Sequence, residues 1–367
     1  MTEDLPNPLQ TAGKIGLLGD LHGDVEHLFI VSRTMWARGI SVLVQLGDWG
    51  FVWPGENWNR TLDKISRRLG SLGMTMFFLD GNHEWHTELN AFPIDGDGLR
   101  RLRPNVVHLP RGFRTTLSSG RTMAVLGGAN SIDRDYRVPG RSWWPEESIA
   151  HDDLRALGVE HADIFLGHDA PLGIPELDRE LAVEKHDWPW SVVRYAEEGR
   201  RMFDRGFHAV RPRLSVSGHY HRLIDVEKTF GGAGEKFICR AVVLDMNGAN
   251  KFGQAILDVS SLRLEIFTRS DAAATVVTRW DSGKWLVRTS DTAVYAFDLD
   301  NGSVERRPGP GARSSPNLDQ SRPLLDLRIL HVGYPGIWSL KPADELVPDY
   351  EHVSPIVEKI ERVKELR

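Results

Sequence analysis

Five short apolar runs in this chain each stop at a glycine set beside Asp, Asn or His, and that recurrence limits the fold more than any other feature. Lys14–Leu18 leads into Gly19-Asp20-Leu21-His22-Gly23-Asp24, and Ser41–Leu46 leads into Gly47-Asp48. Met74–Leu79 ends in Asp80-Gly81-Asn82-His83-Glu84, and Asp163–Leu166 in Gly167-His168-Asp169. Leu214–Val216 ends in Ser217-Gly218-His219-Tyr220-His221. Short β-rich runs bounded by glycine or polar residues read as buried strands, and Thr122–Leu126 is another. Between them, residues 24–38 place Val25, Leu28, Phe29, Met35 and Trp36 largely on one helical face, with Asp24 available as the cap. Residues 56–69 and 191–205 also read as helices. Strands alternating with helices predict an α/β sandwich with a substantially parallel sheet. In open α/β sheets, sites form beyond the carboxyl ends of the strands, so five such ends converge on one place.

Taken alone, Asp20 and His22 admit two readings. Gly and Asp supply the backbone freedom of a polar turn, whereas carboxylate and imidazole side chains are metal ligands. Alternate residues on an extended chain point the same way, so both could reach one ion. A lone Asp or His at a strand end is usually a turn residue. Five ends of this kind together argue for a site.

The chain's 367 residues suffice for one large domain and a smaller one. A formal net charge of −6 leaves the surface as a whole unattractive to nucleic acid. Cys239 is the single cysteine, which excludes an internal disulfide and a cysteine-based zinc site. The N-terminus lacks the basic-then-apolar pattern of a secretion signal. No apolar run approaches the roughly 20 residues of a bilayer span. The expectation is a cytoplasmic protein with no membrane partner.

Two domains are expected, over residues 1–268 and 276–367. Ile238–Phe267 supplies strands that finish the first, and Arg269–Thr275 is small and polar enough for a linker. Beyond it, Lys284–Thr289 and Ala293–Leu299 alternate as half-buried strands, and Asp300-Asn301-Gly302 turns the chain into Ser303–Arg307. Pro308–Pro323 reads as a mobile loop and Leu324–Val332 as a strand. Ser354-Pro355 opens an expected last helix with Val357, Ile360, Val363 and Leu366 on one side. The tail is thus predicted to be a small, mostly β module ending in a helix. It carries no reactive constellation, and serves either structure or a protein partner.

Taken in order, "GDLHG", "GD" at 47–48, "GNHE" at 81–84, "GH" at 167–168 and "GHYH" at 218–221 make residues 14–260 resemble the calcineurin-like metallophosphoesterase superfamily. That resemblance implies an α/β fold, a calcineurin-like β-sandwich flanked by helices, here with the small mostly-β C-terminal module. It further implies two divalent metal ions. Asp20, His22 and His221 would hold one, Asn82, His168 and His219 the other, and Asp48 would bridge them. The ligand set suits manganese, iron or zinc, with manganese the ion to assay first. Such a pair clamps a phosphoryl oxygen and supplies a bridging hydroxide that attacks phosphorus. His83 matches the family's non-ligand histidine, which protonates the leaving oxygen or stabilises the transition state. Asp24, Asp80, Glu84 and Asp169 read equally as caps or as groups that orient the ligand histidines.

The family's protein phosphatases continue the second motif with Asp-Arg-Gly, whose arginine grips phosphate. Here Trp49-Gly50-Phe51-Val52-Trp53 follows instead. Arg134, Arg137 and Arg141, in the segment 131–147, are candidate replacements for that grip or a solvated surface. Trp49, Trp53, Trp58, Trp85, Trp143, Trp144, Trp188 and Trp190 follow the strand runs. They either pin long loops, which carries the greater weight, or stack on a base. "GGAGEK" at 231–236 lacks the spacing of a phosphate loop, and "HEWH" at 83–86 lacks that of a zinc protease. The expected activity is hydrolysis of a small phosphate monoester or diester, with a lean toward a nucleotide. The alternatives are a nuclease of the same superfamily and a catalytically inactive partner-binding platform.

Overall fold

The computed structural model describes residues 7–231, 236–269, 277, 279, 281–310, 318–341 and 348–363. Two compact units divide the chain, Met1–Arg269 and Ser270–Arg367. The first begins with α1 (Pro8–Thr11), β1 (Lys14–Leu18), α2 (Val25–Ala37), β2 (Val42–Leu46), α3 (Trp58–Gly70) and β3 (Thr75–Leu79). It continues through α4 (His86–Ala91), β4 (Arg100–Arg103), β5 (Val106–His108), β6 (Arg114–Thr116), β7 (Thr122–Leu126) and α5 (His151–Leu157). Then come β8 (Ile164–Gly167), α6 (Pro175–Glu184), α7 (Trp190–Val210), β9 (Leu214–Ser217), β10 (Ile224–Phe230), β11 (Phe237–Val243), β12 (Gln254–Asp258) and β13 (Leu264–Phe267).

These strands form two mixed sheets, ordered β13-β12-β1-β2-β3-β5-β4 and β10-β11-β9-β8-β7-β6. The middle of each is parallel, β1 with β2, β3 and β5 in one and β7 with β8, β9 and β11 in the other. Antiparallel strands close the edges. Alternate side chains of both sheets, among them Ile15, Leu17, Val44, Phe77, Val125, Leu166 and Val216, meet in one core between them. The opposite faces of β7 and β8 offer Leu126 and Phe165 to Phe203, Phe207 and Val210 of α7. Burial on both faces explains why the strands read as continuous apolar runs rather than alternating ones. Asp24 caps α2 as expected, its Oδ1 accepting the His27 N–H at 2.9 Å. Five parallel strands, β1, β2, β3, β8 and β9, end at the five motifs, so their turns lie together along one rim of the sandwich. No helix among the described residues is long and apolar enough to cross a membrane.

In the second unit, β14 (Lys284–Thr289), β15 (Val294–Asp298), β16 (Ser303–Arg307), β17 (Arg322–Ile329), β18 (Pro335–Leu340) and β19 (Tyr350–Arg362) close into a barrel. Neighbours pair antiparallel, and Trp285, Tyr295, Phe297, Trp338, Val357 and Ile360 fill the interior.

The expected final helix is a strand, and β18 was not anticipated. In β19 the buried positions are Ser354, Val357 and Ile360, a spacing of three that imitates one face of a helix. Register shifts cause it. One falls where β19 passes Arg288/Thr289 of β14, another where it passes Pro335/Ile337 of β18. Each bulge inserts an unpaired residue and resets the inward–outward alternation. A bulged strand also tolerates Pro355, which a regular central strand would not. Leu366, the end of the expected helix, lies outside the described residues. So do residues 270–275 of the expected linker, 311–317 of the expected loop and 232–235 of "GGAGEK".

His27 of α2 is 1% exposed and its Nδ1 accepts the Gly248 N–H at 3.3 Å, which requires a neutral ring. Burial, reinforced by the Arg269 charge, pushes its pKa down to about 4. A histidine depressed in the folded state binds fewer protons there than when unfolded, between about pH 6.5 and 4, so stability is lost as the pH is lowered through that window. The span is worth up to about 3 kcal/mol. Urea denaturation of the chain at pH 7 and 4.5 is expected to show this loss, reduced in His27→Gln. An identical pH dependence in the two proteins would refute the assignment.

Candidate metal centre

The turns that carry the motifs are laced to one another by backbone. Leu21 and His22 both donate their N–H groups to the Asp48 carbonyl, at 3.1 and 2.9 Å, and Gly23 donates to the Trp49 carbonyl at 3.1 Å. The His219 N–H donates to the Asp20 carboxylate, 3.0 Å from Oδ1 and 3.2 Å from Oδ2. Four of the seven non-glycine residues described with positive φ belong to these turns: His22 (46°), Asp48 (55°), His219 (71°) and His221 (53°). Left-handed backbone costs of order 1–3 kcal/mol at such residues and persists only where its surroundings over-determine it.

Donor atoms of Asp20, His22, Asp48 and His221 all lie within 4.8 Å of one another. His22 Nε2 is 3.3 Å from Asp48 Oδ2, and His221 Nε2 is 3.1 Å from Asp20 Oδ2. The other Asp48 oxygen faces a second group. Oδ1 lies 3.2 Å from His168 Nε2, which is 3.1 Å from Asn82 Oδ1, and the His219 ring is centred 4.9 Å from that of His168. The structure thus brings all seven expected ligands together, with one Asp48 oxygen turned to each group.

Chemically, the cluster is a concentration of lone pairs. His168 Nδ1 sits 2.8 Å from the Leu46 carbonyl oxygen and donates to it, which leaves Nε2 pointed at carboxylate and amide oxygens. Asp20 and Asp48 are each 1% exposed. Burial works against a charged His168, yet the Asp48 carboxylate beside it raises its pKa to about 10. Burial would likewise raise Asp48, but the His168 and His83 imidazoles hold it well below the usual carboxylate range. In the protein alone a proton supplies the positive charge that these oxygens require. Hard and borderline divalent ions take this mixture of imidazole, carboxylate and amide donors, and binding one releases such protons. The donor set therefore fits the pair of ions that the resemblance implies.

Around the ligands, Glu84 is fully buried and accepts the N–H groups of Trp49 (2.6 Å) and Gly50 (3.3 Å), fixing the turn that carries Asp48. Asp169 accepts from Tyr220 Oη at 2.6 Å. Asp80 is engaged by Arg111, at 2.6 Å, and faces away from the ligands toward His108.

His83 lies at the opening, its Nε2 3.9 Å from Asp48 Oδ2, and its N–H donates to Asp48 Oδ1 at 2.8 Å. Burial pushes its imidazole below the ordinary histidine range. The three candidate arginines separate. Arg137 reaches the site, with Nη2 2.6 Å from His83 Nε2 and Nη1 donating to the Asn82 carbonyl at 3.4 Å. Arg134 is held 4.3 Å above the Tyr195 ring, and Arg141 is exposed, its guanidinium making no hydrogen bond or ion pair among the described residues. The tryptophans divide as well. Trp49 is fully buried and stacked on Phe78 at 5.0 Å, whereas Trp53 lies against the His83 ring at 6.3 Å. A cavity of about 740 Å³ borders His221, walled in part by Glu180, Glu184 and Arg222.

The sequence model of the calcineurin-like phosphoesterases matches residues 13–223, more than half of the chain and all seven of these side chains. The chain belongs to the calcineurin-like phosphoesterase family. Its sandwich with flanking helices is the architecture that membership implies. Among solved structures, that of TT1561 of Thermus thermophilus is similar at 15% identity and a TM-score of 0.40, over 70% of this chain and 98% of that one. A second is similar at 12% identity and a TM-score of 0.43, with the same coverage. No curated protein matches the chain.

Gly81 is a position where this calcineurin-like centre leaves no room. A Cβ there would lie 2.3 Å from both the amide nitrogen and Oδ1 of Asp48, and 2.8 Å from His168 Nε2. Gly81→Ala is expected to keep its far-UV circular dichroism while losing affinity for manganese by about tenfold or more. Unchanged manganese binding by calorimetry would show that the turn gives way at no cost to the site.

Proposed function

We propose that the protein is a dinuclear-metal phosphoesterase that hydrolyses a small phosphate monoester or diester. In this reading Asp20, His22 and His221 hold one ion, Asn82, His168 and His219 hold the other, and Asp48 bridges them. The observation that carries it is the division of the two Asp48 oxygens between two separate groups of lone pairs. Divalent ions held by these residues would polarise a phosphoryl oxygen and lower the pKa of a bound water.

The chain's own residues do the rest. Arg137 supplies forked donors to the ester's oxygens as negative charge develops there. Its present partners are the Asp133 carboxylate at 2.8 Å, the Asn82 carbonyl and His83 Nε2, so the His83 ring carries its hydrogen on Nδ1 while Arg137 engages it. When Arg137 turns to phosphate, Nε2 is released to hold the proton that passes to the leaving oxygen. Trp53, against His83, offers a face to a flat leaving group, which favours a nucleotide over an alkyl phosphate. Manganese is the ion of first choice, and a cytoplasmic setting, with reduced thiols, accords with the single buried Cys239.

Hydrolysis of an aryl phosphomonoester and an aryl phosphodiester, with manganese added, tests the proposal. Wild type should hold two ions per chain by elemental analysis and cleave at least one ester. Asp48→Asn should hold fewer ions and lose turnover. His83→Ala should keep its ions and lose about 10²–10⁴-fold in kcat. Arg137→Ala should lower kcat by about tenfold or more, as loss of a contact made where charge develops does. A wild-type protein that holds both ions and cleaves neither ester would favour the partner-binding platform.

A further inference from the structure

We infer that Glu147, which touches none of the candidate ligands directly, fixes which end of the Asn82 amide faces the metal position, acting through Ser131. The inference rests on the reading of Asn82 as a ligand. Glu147 is fully buried, at the end of the segment that Ser131 begins. Its Oε1 accepts from the Ser131 N–H at 2.8 Å and from Tyr195 Oη at 2.9 Å, and its Oε2 accepts from Ser131 Oγ at 2.6 Å. Three donors on one buried carboxyl group call for the ionised form, which can only accept.

That direction propagates. The Ser131 hydroxyl has a single hydrogen and gives it to Glu147, so toward Asn82 its oxygen can only accept. It accepts from Asn82 Nδ2 at 3.1 Å, and Oδ1 is thereby the end left facing His168 Nε2 at 3.1 Å. An amide is nearly symmetric in shape, and nothing steric distinguishes its oxygen from its NH₂. Turned the other way, Asn82 would present hydrogens to a cation. Glu147 is thus a positioning residue that sets the polarity of a three-member chain ending at a ligand. Residues that orient metal ligands typically change affinity about 10- to 100-fold when altered.

Glu147→Gln, close in shape, tests this by reversing the chain. The new amide donates to Ser131 Oγ, the serine hydrogen turns toward residue 82, and Asn82 is driven to present its NH₂ group inward. In Asn82→Asp the inward atom is an oxygen whichever way the serine points, so Glu147→Gln should be harmless there. Manganese titration by calorimetry, on wild type, each single variant and the double variant, reads the result without reference to turnover. One of two manganese sites is expected to lose about 10- to 100-fold in Glu147→Gln, with the other unmoved. In the Asn82→Asp background the same change is expected to cost less than twofold. Equal losses in both backgrounds would mark Glu147 as a purely structural support and overturn the inference, as would no loss in either. Wild type binding fewer than two ions would instead overturn the dinuclear reading itself, and this inference with it.

Discussion

Two carboxylates held out of water at the end of a parallel sheet govern this structure. Asp20 and Asp48 are surrounded by imidazole nitrogens and an amide oxygen, nearly all offering electron pairs. Such an arrangement is unstable unless positive charge enters it, because burial removes the solvent that would otherwise screen the repulsion. Much of the surrounding architecture reads as a means of holding that arrangement still. The Glu84 clamp, the backbone bonds from Leu21 and His22 to Asp48, and the Leu46 carbonyl behind His168 each remove one way for the cluster to relax.

The strained turns belong to the same account. His22, Asp48, His219 and His221 occupy backbone that a relaxed loop of these residues would leave. They are retained because neighbouring turns share hydrogen bonds, so no one of them can unwind by itself. Stability donated by the sandwich core is spent on geometry at its rim, a common arrangement at reactive sites.

Legibility in the sequence followed from how local each signal is. The strand runs and the glycine-flanked acids and histidines sit within a few residues of one another, so fold class could be read from them, and the resemblance they carry named the side chains that the structure brings to one rim. Arg137 could be named only as one of three, because the irregular segment 131–147 has no periodicity to say which arginine turns inward. The Glu147–Ser131–Asn82 chain gave no signal at all. Its members are separated by 16 and 49 positions, and only tertiary folding joins them. In the tail, β19 misled for a definable reason, since two bulges gave a strand the apolar spacing of a helix. Trp49 misled less, as the packing role given greater weight is the one it has.

The closed barrel at the C-terminal end has a consequence for association. Among the described residues closure leaves little unpaired strand edge, chiefly beyond the short Ser303–Pro323 and Val304–Arg322 pairing of β16 with β17, so strand addition is a restricted route for recruiting another chain. Recognition there mainly reads side chains on a curved wall, where Leu325, Tyr334, Val353 and Ile356 stand exposed. The same closure limits edge-to-edge aggregation of the unit, a protection that the open sheets of the sandwich must obtain in other ways.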